Sequence, residues 1–423
     1  MRVWSTRRGS DVRRAARGLL LLFVFAIPWA YSLDLGEPWG NIARVLGVLL
    51  LLAAIPAVLE TGALRRPGAV QWATLLLLLW YCATYFWSLA PVETLASLRG
   101  SLQKMMVVWL VWELAESARD LRLLLRAQVA GCGVLALLTL AALRSPEAWM
   151  EGRLAALGQD PNDAAYFLNL GLPLAALLAC CESSRALRWL AAGLLPLSAA
   201  AALLTASRGG FLGEVIALAG CAVLLSRRFP RAVLAGVLAL PVLAGAGWQF
   251  MPRATIERLA TIPGELQSGG LNQRWNIWGA GWEAFRQAPL GGSGAGVFVH
   301  AARLAPLDTA HNAALSVAVH GGLCALLIAA ALAICTVREA GKSRGNLRLA
   351  LAAALLVTLV SSLVATVDES RSTWLLAALA ALAGRLTVED APGLERCFGD
   401  APPSLCGPER RVQEGRESLS LRA

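Results

Sequence analysis

Long hydrophobic runs constrain this chain more than any other feature of its sequence. Clear examples are Val45–Leu59, Leu75–Leu89 and Leu349–Val367. A bilayer core about 30 Å thick is crossed by a helix of about 20 apolar residues, so these runs predict membrane-spanning helices. The composition agrees, because only 16% of the 423 residues are charged and 57% are hydrophobic, whereas about a quarter of a typical soluble chain is charged.

The runs predict an all-α polytopic membrane protein of about 12 transmembrane helices. The predicted spans are 18–33, 42–59, 70–89, 101–115, 121–143, 163–181, 187–206, 211–226, 232–250, 312–337, 347–366 and 372–388. With twelve spans, both termini lie on the same side of the membrane. Residues 18–388 would then form one transmembrane domain, preceded by a basic segment, 1–17, and followed by a polar tail, 389–423, that is predicted to be disordered.

Charges in the loops predict the orientation of these spans. Arginines and lysines collect before the first span and after every even-numbered span, whereas Asp and Glu collect at the odd-numbered junctions. Because cytoplasmic loops carry the excess of basic residues, both termini are predicted to be cytoplasmic and the odd-numbered junctions external. The net charge of +10 is therefore an orientation signal, and nucleic acid is rejected as a partner.

No cofactor or metal site is expected from the sequence. Seven of the nine cysteines fall inside hydrophobic runs, where they behave as small apolar residues. No CxxC motif or Cys/His cluster has the spacing of a zinc site. The apolar stretch Gly18–Leu33 lacks a convincing cleavage site, so it is interpreted as a first span and not as a signal peptide.

One external loop, residues 251–310, is much longer than the others. Long loops without a domain of their own are uncommon and are often functional. Within it, Trp275, Trp278, Trp282 and Phe285 recur at steps of three and four residues, which makes one apolar stripe on a helix. Such a helix either lies in the membrane interface next to a functional site or only anchors the loop.

Three residues on the external side are candidates for chemistry. Arg208, in Ser207–Gly210, breaks the charge pattern and is followed by two glycines that permit a tight reversal and close approach by a ligand; the alternative is an arginine that snorkels to lipid headgroups. Arg274 opens the Trp-striped helix, and guanidinium groups match phosphate oxygens. His311 lies where the long loop re-enters the membrane and is suited to act as a general base, or alternatively only caps a helix.

Further polar residues at the same side are candidates for contacts with substrate. Arg99 and Lys104 open the fourth span, where charge at membrane depth suggests function, although snorkelling would also explain them. Asn162 belongs to Asp160–Asp163 before the sixth span, a segment that is also typical of a helix N-cap followed by proline. Asn312 follows His311.

These segments, taken in order, resemble the O-antigen ligase and polymerase superfamily of bacterial envelope enzymes. The resemblance covers roughly residues 86–323. It rests on Phe86-Trp87-Ser88 with Glu93–Leu98, Asp160–Asp163, Ser207–Gly210, Arg274 with Trp278, Pro289–Gly294, His311-Asn312 and Gly321–Leu323. Family members move a glycan from undecaprenyl diphosphate to an acceptor on the periplasmic face of the bacterial inner membrane.

The resemblance implies a role for each candidate residue. Arg208 and Arg274 would bind the diphosphate, and His311 would act on the acceptor. The expected enzyme is a metal-independent inverting glycosyltransferase that ligates O-antigen to the lipid A core. An O-antigen or exopolysaccharide polymerase, which uses another lipid-linked glycan as acceptor, stays open. A lipid-linked glycan flippase also stays open, but a transporter is expected to place charges near the bilayer midplane, where spans such as Leu349–Val367 have none.

Overall fold

A computed structural model describes residues 3–37, 39–60, 64–150, 152–248, 252–261, 264, 274–305 and 308–399. Within them the chain is almost entirely helical. The helices are α1 Val3–Ala26, α2 Ile42–Leu59, α3 Ala69–Thr84, α4 Pro91–Leu114, α5 Ala118–Ala141, α6 Pro161–Cys181, α7 Arg185–Leu204, α8 Arg208–Ser226, α9 Pro230–Trp248, α10 Arg253–Ala260, α11 Arg274–Gln287, α12 Phe298–Ala302, α13 Ala313–Lys342, α14 Gly345–Ser362, α15 Arg371–Glu389 and α16 Ala391–Phe398. A two-stranded hairpin pairs β1, Trp149–Met150, with β2, Arg153–Leu154.

In the part of the chain that the structure describes, nine helices are long and apolar enough to cross a membrane. These are α1, α2, α3, α5, α6, α7, α8, α13 and α14, in some cases with an adjoining 3₁₀ turn. The protein is therefore a multi-pass membrane protein. The other three predicted spans fall on α4, α9 and α15, which are helical but are not among the nine, so the number twelve stays a prediction.

The bundle is built around α6. All of its most apolar 18-residue window is buried, and α6 packs against α5, α7, α8 and α14. Its side chains are mainly Leu and Ala, and small residues such as Ala165 and Gly171 let neighbouring helices approach closely. The predicted N-cap is confirmed: the Asp160 side chain accepts hydrogen bonds from the backbone of Asn162 and Asp163, and Pro161 occupies the first helical position.

Two spans differ from the prediction in extent. The helix expected from residue 101 begins at Pro91, where proline suits the first turn. The span expected over 312–337 extends to Lys342, and it is interrupted at Gly322, whose φ of 67° and ψ of −164° are not helical. The residues after this break, Leu323–Lys342, are alone long enough to span a bilayer.

Charged residues from the N-terminal region, from the junction after α2 and from the ends of α4 and α15 meet at one end of the bundle. An Arg13 guanidinium nitrogen lies 2.8 Å from a Glu116 carboxylate oxygen, and the Arg65 backbone N–H donates to the Glu113 carboxylate at 2.9 Å. Arg385 donates to the Trp112 carbonyl at 2.7 Å. All of these residues lie at span ends that the charge pattern predicts to be cytoplasmic, so contacts at one side of the bundle join the N-terminal region to the ends of α4 and α15.

The C-terminal tail begins with a packed helix, in contrast to the disorder predicted for 389–423. Asp390 accepts a hydrogen bond from the Gly393 backbone at the start of α16, and Leu394 and Phe398 are buried. The Arg122 guanidinium lies 5.5 Å from the centre of the Phe398 ring. The prediction failed because one short apolar face was enough to dock this segment; the rest of the tail, residues 400–423, lies outside the described residues.

Candidate functional site

The N-terminal turns of α6 and α8 are joined by a side-chain hydrogen bond. The Ser207 hydroxyl donates to Asn162 Oδ1 at 2.9 Å, and Ser207 also caps α8 by accepting from the Gly210 backbone at 3.0 Å. Arg208 is the first residue of α8. The predicted candidates Asn162 and Arg208 therefore lie at the same end of the bundle, on two helices that are fixed to each other.

Gly209 and Gly210 serve helix packing at this point. A Cβ atom on Gly210 would lie 2.5 Å from the Cβ of Ala165 in α6, and one on Gly209 would lie 2.6 Å from a methyl of Val364 after α14. Neither glycine has a positive φ, and the left-handed residue of the turn is Ala206, with φ of 49°. The expected reversal through the glycines is therefore wrong, because small residues are needed here for close contact between helices.

His311 occupies a strained position immediately before α13. Its φ is 44°, in the left-handed region that non-glycine residues seldom adopt, and such strain is found often at functional sites. The side chain is half-buried, and His311 Nδ1 lies 3.3 Å from the Thr309 hydroxyl. This contact engages Nδ1, one of the two ring nitrogens of His311.

The Trp-striped helix α11 packs beside His311. Trp278 donates its indole N–H to the Ala310 carbonyl at 3.1 Å, and a Cβ on Gly281 would lie 2.9 Å from Leu315 in α13. Trp275 and Trp282 are exposed. Trp278 therefore attaches α11 to the segment before α13, whereas Trp275 and Trp282 are available to a membrane surface.

The charges around His311 come from several elements. Burial lowers the pKa of His311, and the positive charges of Arg274 and Arg153 lower it further, while Asp160 and Asp308 raise it. The net direction is downward, so the neutral imidazole is favoured near neutral pH. The structure thus brings the predicted pair His311 and Arg274 within electrostatic reach of each other and adds the α6 N-terminus to the same site.

Arg153 is a residue of this site that the sequence analysis missed. It lies in β2, and its guanidinium is 3.5 Å from Asn162 Oδ1. The hairpin turns at Gly152, with φ of 76°, and is held by the fully buried Leu154. One signal was present in the sequence, since Arg153 breaks the charge pattern of an external junction as Arg208 does.

Asn312 connects the start of α13 to the end of α14. Its side-chain oxygen accepts from the Leu315 backbone at 2.9 Å, and its amide nitrogen donates to the Leu363 carbonyl at 3.3 Å. Next to this contact, the Ser316 hydroxyl donates to Asp368 at 3.3 Å. Asn312 thus has a structural role as an N-cap in addition to its predicted contact with substrate.

Arg99 and Lys104 lie apart from the arginine cluster and from each other. Lys104 lines a cavity of about 710 Å³ between α3, α4, α13, α14 and α15, together with Ala313, Asp368 and Glu369. Arg99 is exposed on α4 and does not line this cavity. Their different positions follow from their separation of five residues, which places them about 140° apart on one helix.

Two glycine-rich motifs of the sequence, Pro289–Gly294 and Gly321–Leu323, pair with each other. The break in α13 is filled by the Pro289–Gly294 segment: the Leu323 N–H donates to the Pro289 carbonyl at 2.8 Å, and the Gly294 N–H donates to the His320 carbonyl at 3.0 Å. A Cβ on Gly322 would lie 2.2 Å from the Leu290 carbonyl oxygen. Backbone groups freed by the interrupted helix are therefore satisfied by the loop, as a membrane protein requires.

Within the described part of the chain, no group of three or more His, Cys, Asp or Glu side chains is arranged to hold a metal ion. The site instead offers guanidinium groups and one imidazole. Guanidinium groups bind phosphate oxygens through paired hydrogen bonds.

The fold and this site define a multi-pass helical membrane protein with a cluster of arginines around a histidine at one end of its bundle. Residues 193–330 match the family model described as O-antigen ligase, which confirms the resemblance to that superfamily over this region. The matched region contains Arg208, Arg274 and His311. No curated protein matches the sequence.

Proposed function

We propose that this protein transfers a glycan from undecaprenyl diphosphate to the lipid A core at the periplasmic face of the bacterial inner membrane. The main support is the position of His311, a histidine biased toward its neutral form by burial and by Arg274 and Arg153. A neutral base next to several arginines suits a reaction in which a hydroxyl attacks a carbon that carries a diphosphate leaving group.

The proposed reaction exchanges one C–O bond for another. The acceptor oxygen attacks the anomeric carbon opposite the diphosphate, the bond from that carbon to the diphosphate oxygen breaks, and the anomeric centre is inverted. His311 takes the proton of the acceptor hydroxyl. Arg208 and Arg274 stabilise the charge that develops on the departing undecaprenyl diphosphate.

Arg153 extends this assignment. Its guanidinium is held near Asn162, so a third positive charge faces the same region as Arg274 and His311. A diphosphate carries more than one negative charge, so several arginines are appropriate for its recognition without a metal ion. Asn162 is then a positioning residue for both Arg153 and the start of α8.

The experiment is transfer of a glycan from undecaprenyl diphosphate to lipid A core by the purified protein in proteoliposomes. His311→Ala is expected to lower the transfer rate by a factor of about 10²–10⁴, which is typical for loss of a general base. Arg208→Ala and Arg274→Ala are expected to weaken donor binding or turnover. Arg231→Ala, at the start of α9, is the matched control and should transfer at the parent rate.

Normal insertion of each variant must be shown first. Well-inserted His311→Ala and Arg208→Ala proteins that transfer glycan at the parent rate would overturn the proposal. Deletion of the gene distinguishes the other functions by the glycans that remain. Unligated lipid-linked polymer supports ligation, single repeats on the core indicate a polymerase, and donor accumulated on the cytoplasmic side indicates a flippase.

A further inference from the structure

The cavity lined by Lys104 continues as an apolar groove between α13 and α14. Its walls there are small or aliphatic side chains, among them Leu326, Ala330, Ala333 and Val337 of α13 and Ala352 and Leu356 of α14. Several of these residues, including Ala333 and Leu356, are exposed in the isolated chain. The groove is therefore open toward the bilayer and is lined by small side chains that leave room for a hydrocarbon chain.

The upper end of the groove reaches the site around His311. Ala313 and Ala314, which line it, follow directly after His311 and Asn312, and Ser362 lines it on the opposite helix. The Asn312 amide holds these two helix ends together through the Leu363 carbonyl. A lipid whose headgroup lies at Arg208, Arg274 and His311 would thus have its chain directed into this groove.

The length of the groove favours a hydrocarbon chain that is longer than an ordinary acyl chain. On α14 the lining runs from Arg348, near the predicted cytoplasmic end, to Ser362, near the predicted external end. These residues are 14 positions apart, which at 1.5 Å per residue is about 21 Å. One leaflet accounts for only about 15 Å of a hydrocarbon core of about 30 Å, so an ordinary acyl chain would end before the lower part of the groove.

We propose that the α13–α14 groove binds the polyprenyl chain of the lipid-linked donor along most of its course through the membrane. This inference rests on the proposed function for the identity of the headgroup. The isoprenoid chain is longer than one leaflet and carries a methyl branch in each unit, which the alanines of both helices accommodate. Ala313 and Ala314 mark the end of the groove next to His311 and Asn312, where the chain would meet the diphosphate.

The test compares binding of undecaprenyl diphosphate and farnesyl diphosphate to the full-length protein in nanodiscs. The parent protein should bind the longer lipid more tightly. Ala333→Trp fills the groove and should weaken binding of undecaprenyl diphosphate at least about fivefold, since association inside a bilayer depends on packing. Binding of farnesyl diphosphate, whose chain does not reach Ala333, should change less than about twofold by the same packing argument.

Leu327→Trp is the matched control. Leu327 is exposed on the same helix but is not part of the groove wall, so this variant should keep the preference for the longer chain. Ala352→Phe narrows the groove from α14 and replaces Ala333→Trp should that protein fail to insert. A groove variant that inserts and binds both lipids as the control does would overturn the proposal.

A second measurement locates the chain directly and separates this inference from the proposed function. An undecaprenyl diphosphate analogue with a photoreactive group near the far end of its chain should label the peptides that contain residues 326–341 or 348–362. Labelling confined to other helices would overturn the groove assignment, even if glycan transfer is normal. Labelling at the groove in a protein that transfers no glycan would support the groove and overturn the proposed function.

Discussion

The hydroxyl of Ser207 donates to Asn162 Oδ1 at 2.9 Å, and this bond couples the residue before Arg208 to the first turn of α6. The Arg153 guanidinium lies near the same oxygen. One amide thus contacts elements that supply two of the arginines proposed to bind the donor. The position of Arg208 depends on a link between two helix N-termini as well as on its own helix.

Loss of the Ser207 hydroxyl should therefore impair transfer. Ser207→Ala removes both the bond to Asn162 and the cap of α8, each worth about 1 kcal/mol, so we expect the rate to fall by about fivefold or more. Ser207→Thr keeps the hydroxyl and should retain most activity. Ser226→Ala removes an exposed hydroxyl at the other end of α8 and serves as the control in the same proteoliposome assay. Equal rates for Ser207→Ala and Ser226→Ala would contradict this coupling.

The pH dependence of transfer should report the charges around His311. His311 must be neutral to accept a proton, and its pKa is lowered. The transfer rate should therefore rise with pH, and the midpoint of this acidic limb should lie below about 6.5, the ordinary pKa of histidine. Arg274→Ala removes a positive charge that lowers this pKa, so the limb should move to higher pH in the residual activity. The measurement is the pH profile of kcat/KM.

Asp308→Asn should shift the acidic limb of the same pH profile in the opposite direction. Asp308 raises the pKa of His311, so its neutralisation should move the limb to lower pH. Arg286→Ala, an exposed arginine paired with Glu283 on α11, should leave the limb in place. A limb that does not respond to either Arg274→Ala or Asp308→Asn would mean that His311 is not the group that titrates.

The pairing of the two glycine-rich motifs predicts that one methyl group added at Gly292 destabilises the protein strongly. Gly292 has a φ of 70°, and a Cβ there would lie 2.5 Å from backbone atoms of His320, Gly321 and Gly322. Gly292→Ala should therefore destabilise the protein by more than about 2 kcal/mol, measured as a lower midpoint of thermal unfolding in detergent. Gly279→Ala, in α11 with open space around it, should be neutral or slightly stabilising. Similar unfolding midpoints for the two variants would argue against the pairing of the Pro289–Gly294 segment with the break in α13.

The orientation of the bundle is tested by reporters that are active only in the periplasm. A fusion after Arg303 should be active, and a fusion after Gly341 should be silent, because the loop before α13 is predicted to be external and the junction after it cytoplasmic. A reporter active only in the cytoplasm should give the reverse pattern. The opposite result in both experiments would place the arginine cluster on the cytoplasmic face and contradict the proposed reaction.

The sequence alone determined the membrane class, most of the helices and the candidates Arg208, Arg274 and His311, because hydropathy and loop charge act locally along the chain. It also predicted the cap at Asp160. It misassigned Gly209 and Gly210 to a reversal, since their need for small size comes from Ala165 and Val364, which are distant in sequence. It missed the packed helix α16 for the same reason, because the surface that buries Phe398 is formed by other helices.

Only the tertiary structure decided which candidates lie close to one another. Arg153 is brought near Asn162 by a hairpin of four paired residues, a signal too short for hydrophobic periodicity to detect. Lys104 and Arg99, five residues apart in sequence, are separated between a cavity and an exposed face. The groove between α13 and α14 has no sequence signature, because its alanines look like ordinary span residues until two helices are set side by side. Local hydropathy and charge patterns therefore determined the helices, and the packing of helices that are distant in sequence determined the candidate site.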